Sequence, residues 1–295
     1  MLKPMLSPNE SPLSYPNYFK EIKYPLYGSI KLDGIRATVQ NGVVLSRTLK
    51  PIRSVQVQAM YGKLEGFDGE LTAGATNDPL VFNKTTSAVM SYANFVDDLH
   101  FSVFDRIGSE VESYDDRYRE LCEEVSTMGY DNVSVVNQVF IKNETELLQY
   151  EAETLAIGYE GIMLRSIDGR YKYNRCTWLD GIIFKLKRFE DAEGIVVDIE
   201  EGDINLNEQR YDERGYSTRS INKENLVPSG MVGRFIVDFD GQLLEVPPGS
   251  FNHKEREEIL LNKSRYIGLP LKFRFQRSGM KDLPRFIRAI GFRMD

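Results

Sequence analysis

The chain has 295 residues, 41% of them hydrophobic and 27% charged, and a formal net charge of −7. This length accommodates two domains, no apolar run is long enough to span a membrane, and no signal-peptide pattern opens the chain. Two cysteines and two histidines exclude a disulfide framework and a histidine-rich metal site, and they favour a reducing cytoplasm. The net acidity argues against a nucleic-acid partner, but local basic surface decides that question.

The first predicted elements lead to a lysine. Prolines within residues 1–26 predict an irregular lead-in, and a strand over residues 27–30 follows. This strand ends at the hexapeptide KLDGIR, residues 31–36. Taken alone, the hexapeptide is typical of a turn that returns into a strand.

A hairpin follows the hexapeptide. The dipeptide Asn41-Gly42 lies between two β-rich runs and predicts a two-residue turn, because both turn positions need φ > 0. The resulting register places Arg36 opposite Arg47, where the two like charges repel each other. We therefore expect a phosphate to be surrounded by Lys31, Arg36 and Arg47.

The middle of the chain alternates strands and helices. Residues 67–71 (FDGEL) predict a turn and a strand, in which Glu70 alone would be a surface acid. Residues 83–92 predict a short helix. Residues 101–105 (FSVFD) predict a strand, and an aromatic such as Phe104 is more often core than a base platform.

Two longer helices are predicted next. Ser113 is a typical N-cap for the first, and Asn143 with Glu146 resembles a capping box for the second, which Gly158 ends. Both helices are expected to pack on a sheet as structural elements.

Two charged strands follow these helices. Over residues 159–165 (YEGIMLR), alternation puts Glu160 on one face with Ile162 and Leu164. An acid on an apolar face is costly unless it is paired or bound to a cation, so Glu160 is a site candidate. Over residues 182–187 (IIFKLK), alternation puts both lysines on one face. The alternative for the second strand is an amphipathic edge strand with solvated lysines.

The chain changes character after residue 187. A new strand series begins at residues 193–200, and the polar residues 201–229 predict a long loop. Further along, Asp240-Gly241 predicts a hairpin, residues 252–263 a helix and residues 270–277 a strand. This succession predicts a small OB-type barrel. The tail is basic, with Lys272, Arg274, Arg277, Lys281, Arg285, Arg288 and Arg293 against Asp282 and Asp295.

Taken in order, these segments resemble the motifs of covalent nucleotidyltransferases, and most closely those of the small ATP-dependent DNA ligases of bacteriophages and viruses. The matching stretches are KLDGIR (motif I), FDGEL (motif III), FSVFD (motif IIIa), YEGIMLR (motif IV), IIFKLK (motif V) and PRFIR at residues 284–288 (motif VI). The resemblance spans nearly the whole chain.

The resemblance implies an α+β fold. Residues 1–189 are expected to form a nucleotidyltransferase (adenylation) domain of antiparallel sheets with flanking helices, and residues 190–295 a small OB-fold β-barrel. Only 30 residues precede Lys31, so we expect no additional N-terminal DNA-binding domain.

The resemblance also assigns roles to individual residues. Lys31 is the nucleophile that takes AMP onto its side chain. Glu70 contacts the ribose near the metal, Phe104 stacks on the purine, and Glu160 holds the metal. The remaining nucleotide-binding residues implied are Ile30, Arg36, Arg47, Lys185, Lys187, Arg285 and Arg288, of which Arg285 and Arg288 orient the leaving pyrophosphate. We expect Lys185, Lys187 and the bound metal to favour the neutral amine of Lys31.

The implied activity is ATP-dependent sealing of nicks in duplex DNA through a lysyl-AMP and a DNA-adenylate. Its implied cofactors are ATP and Mg²⁺, with Mn²⁺ as a substitute, and its partner is nicked double-stranded DNA. We expect a monomer that wraps DNA as a clamp, has no membrane contact, and works in the cytoplasm, or in the host cytoplasm if it is viral.

Three alternatives remain open. An mRNA-capping guanylyltransferase shares the lysine motif, but usually has Asp-Gly where this chain has Glu160-Gly161 and tryptophan where it has Leu186. An RNA ligase usually lacks an acid at the position of Asp33. An OB module that merely binds single strands leaves Lys31 and its surrounding acids and lysines unexplained.

Overall fold

A computed structural model describes residues 1–9, 22–108, 110–211, 217–220, 222–276 and 284–293. They form two compact units, Met1–Arg188 and a second that comprises Phe189–Arg210 and the residues from Ser217 on. Among these residues, every helix is too short or too polar to cross a membrane.

The first unit combines two sheets with helices. Its strands are β1 (Leu26–Ile30), β2 (Ile35–Gln40), β3 (Val43–Ser46), β4 (Phe67–Ala73), β5 (Leu99–Arg106), β6 (Val133–Val135), β7 (Val139–Ile141), β8 (Gly161–Ser166) and β9 (Ile183–Lys187). Its helices are α1 (Val55–Tyr61), α2 (Val81–Met90), α3 (Tyr114–Met128) and α4 (Glu144–Ala156), with a 3₁₀ turn at Trp178–Asp180.

The two sheets have the strand orders β3-β2-β4-β5-β6 and β7-β1-β8-β9. All neighbouring strands are antiparallel except β5 and β6. A core of side chains that includes Tyr61, Phe67 and Phe101 lies on the first sheet, and one that includes Ile162 and Leu164 lies on the second. The predicted α+β class with antiparallel sheets and flanking helices is confirmed.

Local sequence signals set several of these elements. Asn41 and Gly42 both have positive φ, and Gln40 pairs with Val43 as the two-residue turn requires. The predicted caps are present, since the Ser113 hydroxyl accepts the Asp116 amide and the Asn143 side chain accepts the Glu146 amide. Each such cap contributes about 1 kcal/mol of stability.

The second unit is built mainly from strands. They are β10 (Glu190–Asn205), β11 (Gln209–Tyr211), β12 (Ser217–Arg219), β13 (Leu226–Phe239), β14 (Gln242–Val246), β15 (Pro270–Gln276) and β16 (Arg285–Phe292). Helix α5 (His253–Leu261) lies within the predicted helix, and its N-cap Asn252 forms a complete capping box with Glu255. Short 3₁₀ turns occupy Lys223–Asn225 and Lys263–Arg265.

The main sheet of this unit curls towards closure. Its order is β14-β13-β10-β15-β16, which places β14 and β16 at opposite edges. Just past β14, the Pro247 carbonyl accepts a hydrogen bond from the Ala289 amide of β16 at 2.9 Å, and the Ala289 carbonyl accepts one from the Ser250 amide at 3.1 Å. These bonds join the two edges around a core that includes Phe235 and Phe273. This arrangement fits the expected small barrel.

The prediction of a long polar loop over residues 201–229 is wrong. Strands β10 and β13 stay paired as far as Asn205 and Leu226 and form a two-stranded ribbon. The prediction failed because the side chains of the ribbon are mostly exposed on both faces, so the sequence lacks the alternation that a half-buried strand shows.

Two glycines face each other across this ribbon. An ideal Cβ on Gly233 would lie 2.5 Å from the Gly202 Cα, and one on Gly202 would lie 3.0 Å from the Gly233 Cα. The two backbones therefore approach more closely than side chains would permit.

Candidate active site

Lys31 lies in a cavity of about 230 Å³ within the first unit. We call it the lysine cavity, and its lining residues are Met5, Leu6, Ser7, Ser29, Ile30, Lys31, Leu32, Arg36, Arg47, Glu70, Phe104, Val136, Met163, Arg165, Arg175, Ile183 and Lys185. The structure thus brings together Ile30, Lys31, Arg36, Arg47, Glu70, Phe104 and Lys185, all selected from the sequence.

Strand pairing accounts for this convergence. On the first sheet, Arg36 of β2 lies opposite Glu70 of β4. On the second sheet, Met163 of β8 lies opposite Lys185 of β9. Because side chains alternate along a strand, the next residue of β8, Leu164, points to the other face and packs in the apolar core.

Glu160 reaches the site by a different route from the one predicted. It precedes β8, and its carboxylate contacts both Lys31, at 2.5 Å, and Lys187, so it does not share the apolar face of Ile162. The following residue, Gly161, has φ +153, and a Cβ there would lie 2.2 Å from the Leu186 carbonyl oxygen. This glycine-only backbone takes Glu160 out of the strand's alternation.

The charge state of Lys31 also differs from the expectation. Burial alone lowers the pKa of Lys31, but the carboxylates of Glu160, Glu70 and Asp33 outweigh it and raise that pKa above its ordinary value. The charges of the protein itself therefore act against the expectation that neighbouring cations favour the neutral amine, because Glu160 contacts both Lys31 and Lys187.

The pKa values of the charged groups around Lys31 are shifted as well. Burial alone raises the pKa of Glu160, yet Lys31 and Lys187 overcome it and hold that pKa at about 2. Burial lowers the pKa of Lys185, and nearby cations, including Arg175 and Lys31, lower it further. Burial also lowers the pKa of Lys187, against the attraction of Glu160.

Arg36 forms an ion pair with Asp68. The β2–β3 ladder ends at Ala37 and Ser46, one step before Arg36 and Arg47 would face each other. The Arg36 guanidinium donates two hydrogen bonds to Asp68, at 2.6 and 2.7 Å, and Tyr171 donates to the same carboxylate. The charge of Arg36 is thus balanced without the phosphate that the sequence led us to expect over it.

Phe104 is half-buried in the lysine cavity, where two guanidinium groups lie near its ring. The guanidinium carbon of Arg36 is 4.3 Å from the ring centroid and that of Arg165 is 5.3 Å from it. Both contacts are of the cation–π type, and they fix the ring at the cavity wall.

Arg165 belongs to a buried ionic cluster that the sequence did not reveal. Asp105 accepts hydrogen bonds from Arg117 at 2.7 Å and from Arg165 at 2.8 Å. All three side chains are almost completely buried. Alternation from Met163 to Arg165 could have indicated a cavity-facing arginine, but nothing local identifies its partner 60 residues away.

Two further parts of the wall of the lysine cavity were not predicted from the sequence. Arg175 follows no recognised motif, and its side chain donates to the Ser7 carbonyl at 2.7 Å. The segment at Leu6 pairs with Arg175 as an isolated bridge, and the Met5 carbonyl accepts a hydrogen bond from Arg36. The irregular lead-in gave no signal that it covers the cavity, and residues 10–21 lie outside the described residues.

The motif VI residues belong to the second unit. Arg288 is exposed on β16, opposite Arg274, and its guanidinium carbon lies 5.8 Å from the centroid of the Phe189 ring. The side chain of Arg285 lies outside the described residues.

The acids of the site are compatible with a hydrated divalent cation. Within the described residues, no three His, Cys, Asp or Glu side chains cluster as a protein-only metal cage. Mg²⁺ does not need one, because it usually binds through one or two carboxylates together with substrate phosphates. Glu160 and Glu70, the two acids that act most strongly on Lys31, form a donor set of that kind.

Glu70 provides a pH-dependent prediction. Burial raises the pKa of Glu70 to about 7, against the attraction of Arg36 and Lys31. The unfolded chain holds this proton less tightly, so its contribution to stability is present below about pH 4.5 and is lost as the pH rises through 7. We expect Glu70→Gln to gain stability over the wild type as the pH rises from 5 to 8, measured by urea unfolding. Equal pH profiles for the two proteins would contradict the shift, and the exposed Glu123→Gln serves as the control.

Comparison with known proteins gives consistent matches. A family model described as an ATP dependent DNA ligase domain matches residues 4–180. A DNA ligase of African swine fever virus (isolate Tick/South Africa/Pretoriuskop Pr4/1996) is 31% identical over 109 residues, which cover 36% of this chain and 26% of that protein. The chain therefore spans about a quarter of the length of the curated relatives that it matches.

Two solved structures match along the whole chain. Chlorella virus DNA ligase-adenylate is 31% identical and has a TM-score of 0.55, with 100% of this chain and 99% of that chain covered. A structure from a study of Lig E DNA ligases is 22% identical with a TM-score of 0.72 and covers 99% of this chain and 100% of that chain. At that identity, the second match concerns the fold alone.

Proposed function

The chain belongs to the family of ATP-dependent DNA ligase domains, and from that membership we propose that it seals nicks in duplex DNA with ATP as the nucleotide donor. The Lys31 amine attacks the α-phosphate of ATP, the bond between the α- and β-phosphates breaks, and pyrophosphate leaves. AMP passes from Lys31 to the 5′-phosphate of the nick. The 3′-hydroxyl then displaces AMP and closes the strand.

The arrangement around Lys31 carries this proposal. A half-buried lysine contacts Glu160 in a cavity that also presents Glu70, Phe104 and Lys185. We assign the base to Phe104, the ribose to Glu70 and the phosphates to Lys185 and Lys187. Ile30, Arg36 and Arg47 complete the nucleotide site, and Arg285 and Arg288 orient the leaving pyrophosphate.

In this proposal the adenylation domain comprises residues 1–189 and the OB domain residues 190–295. The protein acts as a monomer that wraps nicked duplex DNA as a clamp. Support comes from the β10–β13 ribbon, which extends beyond the curled sheet of the second unit and has the form of an arm.

Glu160 has two tasks in the first step. It holds the charged Lys31 in place before the nucleotide binds, and with Glu70 it would hold Mg²⁺, for which Mn²⁺ substitutes. When bound, the metal supplies positive charge to the phosphates. Lys31 must lose its proton before it attacks, because only the neutral amine is a nucleophile.

The pH dependence of adduct formation tests the first of these tasks. Because Glu160 raises the pKa of Lys31, we expect Glu160→Gln to shift the acidic limb of the rate of adduct formation to lower pH. Rates are measured by mass spectrometry of the intact protein at saturating Mg²⁺. If Glu160 serves the metal alone, the limb stays in place and only the Mg²⁺ requirement rises.

Sealing of a labelled, singly nicked duplex with ATP and Mg²⁺ tests the activity. We expect sealing with ATP, and none on a duplex whose nick lacks the 5′-phosphate. A covalent adduct with GTP and no sealing would instead favour a capping guanylyltransferase. Sealing only of nicked RNA would favour an RNA ligase.

A further inference from the structure

A second cavity adjoins the lysine cavity within the first unit. Its volume is about 640 Å³, and its lining includes Thr72, His100, Ser102 and Ser134. We call it the hydroxyl-lined cavity. No step of the proposed reaction uses it.

The two cavities share one sheet as their floor. Ser102 of β5 lies directly opposite Glu70, and Thr72 lies opposite His100. Ser134 of β6 pairs with Ser102 in turn. Ser102 is therefore the cross-strand neighbour of Glu70, which lines the lysine cavity together with Phe104, and directly opposite residues lie on the same face of a sheet. The hydroxyl-lined cavity therefore begins beside the two residues assigned to the nucleoside.

Three aliphatic side chains separate the cavities. Ile30, Leu32 and Val136 line both of them. Ile30 and Leu32 flank Lys31 in sequence, and the Val136 amide donates to the Val103 carbonyl at 2.8 Å, beside Phe104. Val136 is only 7% exposed, so its side chain is held between the two spaces.

The hydroxyl-lined cavity suits an uncharged polar group. Ser102 and Ser134 are paired across β5 and β6 and place two hydroxyl groups on its lining. His100 and Ser134 share a hydrogen bond of 2.7 Å. The lining within the described chain includes Asp98 but no lysine or arginine, so a phosphate would lack a counter-charge there.

Resting on the function proposed above, we propose that the hydroxyl-lined cavity is a subsite for an uncharged polar group attached to the nucleoside of the bound nucleotide. Val136 is the residue that sets how large a nucleoside passes from the lysine cavity into it. Val136 is thus a specificity-determining residue, and the hydroxyls of Ser102 and Ser134 are the groups that receive the substituent.

The test compares binding of AMP with that of three AMP derivatives carrying a hydroxybutyl group at N6, at C2 or on the 2′-oxygen. AMP has no pyrophosphate to lose, so binding is measured without chemistry. We expect Val136→Ala to improve the affinity of at least one derivative relative to AMP by about tenfold or more, the range in which pockets discriminate small apolar differences. Val133→Ala is the matched control, since Val133 packs in the core of the first sheet and is not among the residues that line either cavity. It should leave the ratio of derivative affinity to AMP affinity unchanged.

A second substitution locates the added group. In the Val136→Ala background, Ser134→Leu places a larger apolar side chain on the lining of the hydroxyl-lined cavity and should cancel the gain while AMP binding persists. An unchanged ratio for all three derivatives in a variant that still binds AMP would overturn the proposal, as would a gain that survives Ser134→Leu. Nick sealing by the wild type is scored separately, so a protein that seals nothing but shows the shifted ratio would refute the ligase activity and leave the subsite standing.

Discussion

Replacing Lys31 by alanine is expected to abolish both the covalent AMP adduct and the sealing of ordinary nicks. The side-chain nitrogen forms the bond to the α-phosphate, and no other lysine is both inside the lysine cavity and paired with Glu160 among the described residues. The loss should therefore be complete within detection rather than partial. Intact-protein mass spectrometry with ATP and Mg²⁺, alongside the labelled nick, measures both effects.

Two controls separate chemistry from folding in this experiment. Lys172→Ala removes a partly exposed lysine that pairs with Asp180 on the surface, and it should form the adduct as the wild type does. Lys31→Ala should still close a nick that already carries AMP on its 5′-phosphate, because that step does not pass through the lysine. An adduct on Lys31→Ala would exclude Lys31 as the nucleophile.

Asp105→Ala is expected to lower the free energy of unfolding by about 3–5 kcal/mol, the usual cost when one partner of a buried ion pair is removed. Asp105 receives two guanidinium groups, those of Arg117 and Arg165, with almost no exposure to water. Without its carboxylate, both cations stay buried and unpaired. Urea unfolding followed by circular dichroism measures the loss.

Asp116→Ala provides a matched comparison, because this acid pairs with Arg119 on the exposed face of helix α3. A surface pair of this kind contributes at most about 1 kcal/mol. The free energy of unfolding of this variant should therefore be close to that of the wild type, apart from the small loss of the hydrogen bond between Asp116 and Ser113. Equal losses for Asp105→Ala and Asp116→Ala would contradict the burial of the cluster. Arg165 also lines the lysine cavity, so Asp105→Ala should weaken nucleotide binding even at temperatures where it stays folded.

Local signals predicted much of the fold. The turn at Asn41 and the caps at Ser113 and Asn143 depend on residues within a few positions of each other, and the structure has them where the sequence placed them. Short motifs likewise selected Lys31 and Phe104, which line one cavity. Such features can be predicted because their physical cause lies within one stretch of chain.

Features that depend on distant residues could not be predicted in this way. The pKa of Lys31 depends on Glu160, 129 positions along the chain, and the charge of Arg36 is balanced by Asp68. Alternation gave the wrong face for Glu160, because the unusual backbone of Gly161 interrupts the strand. The hydroxyl-lined cavity depends on the register of β4, β5 and β6 and on Ile30, Leu32 and Tyr150 from other parts of the chain, and no single motif encodes that combination.

The facing glycines of the β10–β13 ribbon bear on strand slippage. A ribbon that is polar on both faces has little buried apolar surface to specify its register. If β13 shifted by one residue, Gly202 would meet Val232 or Arg234, whose Cβ has no room at the backbone separation seen here. Steric exclusion at Gly202 and Gly233 therefore fixes the register of this ribbon, as a buried hydrophobic face does in an ordinary sheet. Because this effect is not electrostatic, the register should be the same at any salt concentration.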